Sequence, residues 1–373
     1  MLHLLEYLPV CIQYVFVAAT LFQVLFWLGI FRKLAYYEPV KTPSKPEKSL
    51  SIVIAARNEA KNIKKNFDRI VNQNYRLPEI IVANDNSTDE TEAVLLEYMK
   101  KCSYLRIINN VNELKKGNKK RALANGIRAA KNDWILVTDA DCRPASENWA
   151  KKMQEAAGGD TEIVLGYAPY DTMPGFLNKF IRFETIFTAT QYLSMALMKM
   201  PYMGVGRNML YKKQLFEKTG GFDAHLDVLS GDDDLFVNEV AHRGNVAIQI
   251  DPETFVYSRP KTTWGSYYRQ KARHLSSSKH YKRRHQIILG LFSMSHFVHY
   301  LGGIVLIILN FSTIFVTILY GIRMLILLWL FGRILAKLKD KSLLLSIPLL
   351  DATYSLYYLI FSQALIFNKR KWN

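Results

Sequence analysis

Cysteine is scarce in this sequence: Cys11, Cys102 and Cys142 are the three in 373 residues, odd in number, scattered and without metal-ligand spacing. That excludes a disulfide framework and a cysteine-based zinc module, and it fits a reducing compartment. Acidic residues are also few, 32 against 49 Lys and Arg, for a net charge of +17. A surplus of this kind suits nucleic acid, or anionic lipid heads and phosphorylated small molecules. The charged middle of the chain shows no ladder of basic and aromatic residues and no known binding module, so no nucleic-acid partner is expected.

Charge is nearly missing from three stretches. Residues 4–31 carry only Glu6, residues 287–331 only Arg323, and residues 343–367 only Asp351, beside Pro348. A bilayer core of about 30 Å takes ~20 apolar residues, so the first stretch predicts one crossing and the second has room for two. Arg32 and Lys33 follow the first run rather than precede it, unlike a signal peptide. Lys and Arg at 32–33 and 282–284 flank the middle, which places it in the cytoplasm of a multi-pass inner (plasma) membrane protein. The expected organisation is an anchor at 1–33, a Pro-rich linker at 34–49, a cytoplasmic domain at 50–285, and a membrane region at 286–373 with two to three crossings.

The middle opens on LSIVIAAR at residue 50, and three more apolar runs of strand length follow at 79–85, 105–110 and 133–141. Near-continuous apolar runs suit strands buried on both faces of a parallel sheet. Helical patterns fall between them at 59–73, 89–102 and 119–130, the second with Ser87 and Glu90 at capping-box spacing. The alternation predicts an α/β, doubly wound, mostly parallel sheet, which binds ligands beyond the carboxyl ends of its strands.

Those ends are acidic: Ala56-Arg57-Asn58-Glu59 closes the first strand, Asn84-Asp85-Asn86-Ser87-Thr88-Asp89 the second, and Asp139-Ala140-Asp141 the fourth. Alternate residues on an extended chain point the same way, so Asp139 and Asp141 could offer oxygens to Mg²⁺ or Mn²⁺. The segment 115–121, KKGNKKR, supplies a basic entry into a helix whose N-terminal amides favour phosphate. Asn86 stands where a turn can require positive φ, which Asn tolerates.

The set ARNEAKNI, IIVANDNSTDET, GNKKRALANGI and TDADCRP resembles the nucleotide-sugar-binding half of family 2 glycosyltransferases, inverting enzymes with a GT-A (Rossmann-like) fold. The resemblance implies that Ala56, Glu59 and Asp85 lie at the nucleoside, with a UDP-sugar favoured. It further implies that Lys119 and Asp139 approach the ribose or diphosphate, and that Asp141, with Asp139, binds the metal.

Inverting transfer needs a base for the acceptor hydroxyl. The segment SGDDDLFVNEVAHRG at 230–244 resembles the acidic pair ahead of a helix that supplies it, with Asp233 as base and Asp232 as its partner. MGVGRNMLY at 203–211 resembles the preceding donor and acceptor segment and implicates Gly206, Arg207 and Asn208; Gly204 belongs to the same stretch. Gln270, Arg273 and His274 resemble the Gln-x-x-Arg-Trp motif of membrane polysaccharide synthases, with His for Trp. In such a site the Arg would steady the diphosphate. Residues 174–203, aromatic and Met-rich, could be core helices or lie at the membrane surface.

The expected activity is metal-dependent transfer of a sugar from a nucleoside-diphosphate donor to a lipid-linked, glycolipid or polysaccharide acceptor. Two alternatives are a processive polysaccharide synthase and a membrane-bound nucleotide sensor that needs no base.

Overall fold

The four apolar runs of the middle region become neighbouring strands. A computed structural model describes residues 2–39, 47–76, 78–110, 118–225, 228 and 230–367. Lys115, Lys116, Gly117, Leu226, linker residues 40–46 and the tail 368–373 lie outside the described residues. The chain divides into an α/β unit, residues 38–173 and 199–261, and a helical unit, residues 1–37, 174–198 and 262–373. Residues 174–198 and 262–285 of the expected 50–285 domain fall in the helical unit.

In the α/β unit the strands are β1 (Leu50–Ala56), β2 (Pro78–Asn84), β3 (Leu105–Asn109), β4 (Trp134–Asp139), β5 (Arg143–Pro144), β6 (Ile163–Leu165), β7 (Met209–Lys212), β8 (Val246–Ile248) and β9 (Val256–Tyr257). Seven form one sheet in the order β3-β2-β1-β4-β7-β6-β8. The first four are mutually parallel, β7 runs antiparallel to both β4 and β6, and β5 pairs with β9 in a separate ribbon. The strand order reverses at β1, between β2 on one side and β4 on the other. In register, Ala56 lies opposite Asn84 and Ala55 opposite Asp139, so the carboxyl ends of β1, β2 and β4 finish level.

Burial explains the strands. Ile52, Ile54, Val82, Leu136 and Leu210 are fully buried in one core layer with Phe67, Ile70, Trp149 and Met153. Each such aliphatic contributes about 1.5–3 kcal/mol through burial. On Lys119–Ala129, Gly126 lets the helix approach β1 closely, since an added Cβ would stand 2.8 Å from the Val53 methyl.

Helix limits differ from expectation in two places. The 59–73 pattern forms two short helices, Ala60–Asn66 and Asp68–Val71, interrupted at Phe67. The Ser87/Glu90 capping box is not made. Ser87 Oγ accepts from the Asn58 N–H (3.0 Å), and Asp89 Oδ1 accepts from the Thr91 N–H (3.0 Å) to start Thr91–Lys101. Tertiary pairing of the two loops outcompetes the local cap.

In the helical unit, three helices are long and apolar enough to cross a membrane: residues Tyr7–Ala35, Arg283–Ile308 and Thr313–Lys337. The third expected segment folds as the helix Ile347–Phe367. Residues 174–203 contribute the 22-residue helix Phe176–Leu197, most of whose side chains are buried. Arg182 pairs with Asp340, and Glu184 with Lys271 at 2.5 Å.

Polar side chains tie the apolar helices together. Asp351, fully buried, accepts from Arg323 (2.5 Å) and Tyr300 (2.6 Å), and it lies 3.1 Å from His296 Nε2. Gln23 donates to the Phe292 carbonyl (2.9 Å) and the Ser295 hydroxyl (2.8 Å), while its own oxygen accepts from Arg323 (3.3 Å). Charges in apolar helix bundles are stable only when paired in this way.

Candidate active site

The level strand ends place the acidic loops together. Asn58 and Asn86 both adopt left-handed backbone, φ 56° and 51°, fulfilling the expectation for Asn86. The Asn58 amide oxygen accepts from the Thr88 N–H at 2.8 Å, and the Thr91 hydroxyl accepts from the Glu59 N–H at 2.8 Å. These bonds lock the β1 loop to the β2 loop. Burial pushes the Glu59 carboxyl up, while an Asn62 bond at 2.5 Å opposes the shift. Burial likewise raises Asp85, whose carboxylate accepts from the Asn118 N–H. The Asp85 N–H in turn donates to the carbonyl of Ala56 at 2.8 Å, and Ala56 itself is buried.

Asn118 caps the Lys119–Ala129 helix by accepting from the Arg121 N–H at 3.1 Å, which fixes Lys119 as its first residue. The Lys119 ammonium bridges two carboxylates, 2.9 Å from Asp139 Oδ1 and 3.0 Å from Asp232 Oδ2. Burial works against its charge, but Asp139, Asp232 and Asp233 overcome this and hold it protonated. Its neighbour Lys120 does something different: it is buried and donates to the carbonyls of His225 (2.5 Å) and Val228 (2.7 Å).

Asp139, Asp141 and Cys142 each present a potential ligand atom, and these lie within 4.8 Å of one another. Two hard carboxylates fit Mg²⁺ or Mn²⁺. Cys142 suits such an ion less well: burial and the neighbouring aspartates keep its thiol protonated, and Sγ donates to Asp141 Oδ1 at 3.4 Å. Burial first, then Asp139, raises the Asp141 carboxyl, as like charges held close together do.

Asp233 precedes the helix Asp234–Val240. Its Oδ2 accepts from the Gly206 N–H at 2.7 Å and its Oδ1 from the Asp234 N–H at 2.8 Å. Burial, then Asp232, then Asp234 push its carboxyl up to about 7. Burial opposes ionisation of Asp232 as well, yet Lys119 more than offsets it and holds that carboxyl below the usual range. Adjacent aspartates thus separate in proton affinity, one kept charged and one poised near neutrality, as acid–base chemistry requires.

Arg207 is anchored rather than loose. It donates to the Ser258 hydroxyl (2.5 Å) and the Ala168 carbonyl (2.9 Å), and it lies 4.4 Å over the Tyr170 ring. Its carbonyl accepts from Thr138 (2.9 Å), joining this loop to β4. Asn208 is wholly buried and committed to the fold: its amide donates to the carbonyls of Tyr167 and Thr254, each at 2.8 Å, and its oxygen accepts from Trp149 Nε1 at 2.9 Å. The expected sugar-binding role of Asn208 therefore gives way to a structural one. Gly204 is likewise packed, its place for a Cβ lying 2.8 Å from Met209 Sδ.

Gln270, Arg273 and His274 lie on the helix Trp264–Ser276, in the helical unit. The Lys119 bridge, the Ser258 and Tyr170 supports of Arg207 and the Asn58 turn went unread in the sequence. Only Asn58 left a signal there, as an Asn just past a strand.

Residues 51–220 match the family model described as glycosyl transferase family 2. The chain is similar to the probable glycosyltransferase YdaM of Bacillus subtilis, 27% identical over 60% of this chain and 54% of that protein. It is also similar to a poly-beta-1,6-N-acetyl-D-glucosamine synthase of Staphylococcus epidermidis, 28% identical over 27% of this chain and 24% of that one. The chain thus spans about half or less of the length of these curated relatives. A solved mannosyltransferase of Pyrobaculum calidifontis, in complex with GDP-Man and Mn²⁺, superposes with a TM-score of 0.60 at 16% identity, covering 95% of this chain and 99% of that one, a likeness of fold.

Proposed function

We propose that this chain, whose residues 51–220 match the family 2 glycosyl transferase model and whose fold is like that of a solved mannosyltransferase, is an inverting, metal-dependent glycosyltransferase of that family. In this reading it moves one sugar from a nucleoside-diphosphate donor, a UDP-sugar by preference, to a lipid-linked or glycan acceptor at the cytoplasmic face of the membrane. The observation that carries the reading is the Lys119 bridge, which sets the donor-side Asp139 and the acceptor-side Asp232 within about one ammonium's reach of each other. A base and a leaving-group site must be this close for in-line displacement.

In the reaction Asp233 takes the proton of the acceptor hydroxyl. The freed oxygen attacks the anomeric carbon as the bond to the diphosphate breaks on the opposite face, so the configuration inverts. Gly206 holds the Asp233 carboxylate in place through its N–H. Asp139 and Asp141 would hold the divalent ion, which when bound offsets charge on the departing diphosphate. Glu59 and Asp85 would bind the nucleoside, while Arg207 would serve the sugar and diphosphate. Three helices of membrane-crossing length support an acceptor drawn from the bilayer.

A processive synthase is the second reading, favoured by the Staphylococcus epidermidis relative. Incubating the detergent-solubilised protein with UDP- and GDP-sugars, Mn²⁺ and a polyprenyl-phosphate acceptor separates the two. One added sugar by mass spectrometry supports single transfer, and a ladder of products establishes the synthase. Asp141→Asn should abolish metal-dependent donor binding, and retained binding would sink the metal assignment.

A further inference from the structure

We propose that Lys119 is a resident counter-cation of the catalytic cleft, one that competes with the divalent metal for Asp139 and so sets how much metal the protein requires. This rests on the metal-dependent reading above and adds a residue to it. Two adjacent lysines begin the same helix with opposite employment. Lys120 is buried on two backbone carbonyls, neutral partners that no metal would replace in this fold. Lys119 pairs with carboxylates instead, Asp139 at 2.9 Å and Asp232 at 3.0 Å, and its side chain keeps 35% of its exposure.

The same Asp139 belongs to the group whose oxygens fit a hard cation. An ammonium on Asp139 neutralises part of the charge that attracts the ion, and a flexible lysine stem can move aside where an arginine fork or a buried lysine could not. Metal binding therefore has to loosen one Lys119 contact and leave the other. Held by Asp232, the ammonium stays beside the base pair and is released toward the anionic oxygens of the donor. Lys119 is in this sense a positioning residue for metal and diphosphate, held from the other side by Asp232.

The test is Mn²⁺ binding to the full-length protein in detergent without sugar nucleotide, read from the EPR signal of free Mn²⁺. Lys119→Met and Lys119→Gln should bind Mn²⁺ at least tenfold more tightly than wild type, whereas Lys119→Arg, which keeps the cation on a fork less able to move aside, should bind no more tightly than wild type. Arg121→Gln removes an equal charge from the exposed neighbouring position and should also stay near wild type. Unchanged or weaker binding in both neutral Lys119 variants overturns the proposal, and so does equal tightening in Arg121→Gln, which would reduce the effect to net charge. If Asp141→Asn leaves wild-type Mn²⁺ binding intact, the metal site itself is misassigned and the inference falls with it. That outcome is recognisable because it appears without any change at Lys119.

Discussion

The Gly206 N–H donates to Asp233 Oδ2 at 2.7 Å, and a Cβ at position 206 would stand 3.2 Å from Asp233 Cβ and 3.3 Å from Oδ2. Hydrogen bond and missing side chain act together: with a Cβ at residue 206 the carboxylate would have to give way by a few tenths of an ångström. Gly206→Ala should push the carboxylate out of line. A misplacement of about 1 Å at a reacting group costs on the order of 100-fold in turnover, so this smaller shift should cost less than that. Steady-state kinetics should show that fall in kcat, with donor affinity by calorimetry little changed; equal loss of both would assign Gly206 to the donor instead.

As the proposed base, Asp233, with its carboxyl pushed up to about 7, should make activity depend on pH across neutrality. Below that value the unliganded protein holds the proton and the base form is lost, so log kcat/KM should rise with unit slope toward about pH 7 and then level off. Asp233→Asn should lower kcat by about 10²–10⁴-fold and remove this limb.

The same shift has a stability consequence of opposite sense. An unfolded aspartate releases its proton near ~4, whereas the folded Asp233 keeps it to about 7, so the folded state is favoured most at acid pH and loses that advantage as pH rises between the two. Asp233→Asn should therefore melt higher than wild type at pH 8 and close to it at pH 4. A uniform shift at both pH values would point to packing rather than charge.

Asp351 is the shared acceptor of Arg323 and Tyr300 among the apolar helices. Asp351→Ala leaves a buried guanidinium without its counter-charge and should destabilise the helical unit by about 3–5 kcal/mol. The double variant Arg323→Met with Asp351→Leu should recover most of this in denaturation measured in detergent. No recovery would show that the pair has a purpose beyond structure.

Asn208→Ala removes three bonds that join β7 to the chain around Trp149, Tyr167 and Thr254. With buried partners left unsatisfied at about 1–3 kcal/mol each, melting temperature should fall by several degrees. The donor dissociation constant of the folded fraction should stay unchanged, and a selective loss of donor affinity would restore the sugar-binding role.

The four parallel strands, their acidic ends and the membrane-length helices were legible because each is a local pattern: apolar runs of fixed length, and side chains at defined offsets from a strand end. The Ser87/Glu90 cap was misread for the same reason, since the offset was right and a competing partner, Asn58, came from a loop 29 residues earlier. Asn208 was misread because one asparagine beside a glycine-rich turn looks alike whether its amide faces a ligand or three core atoms.

The sequence by itself determined which carboxylates could form a site, since hydropathy sets strands and strand register levels their ends. It determined Asn86 as a residue able to take left-handed backbone, and the apolar lengths that can cross a membrane. Only the tertiary structure decided how those carboxylates differ. Asp232 and Asp233 are chemically identical neighbours, yet the Lys119 ammonium, delivered from more than a hundred residues away, holds Asp232 below the usual range, while burial and then the Asp232 charge push Asp233 up to about 7. Proton affinity depends on burial and on charges a few ångströms distant in space, and no spacing along the chain records that distance.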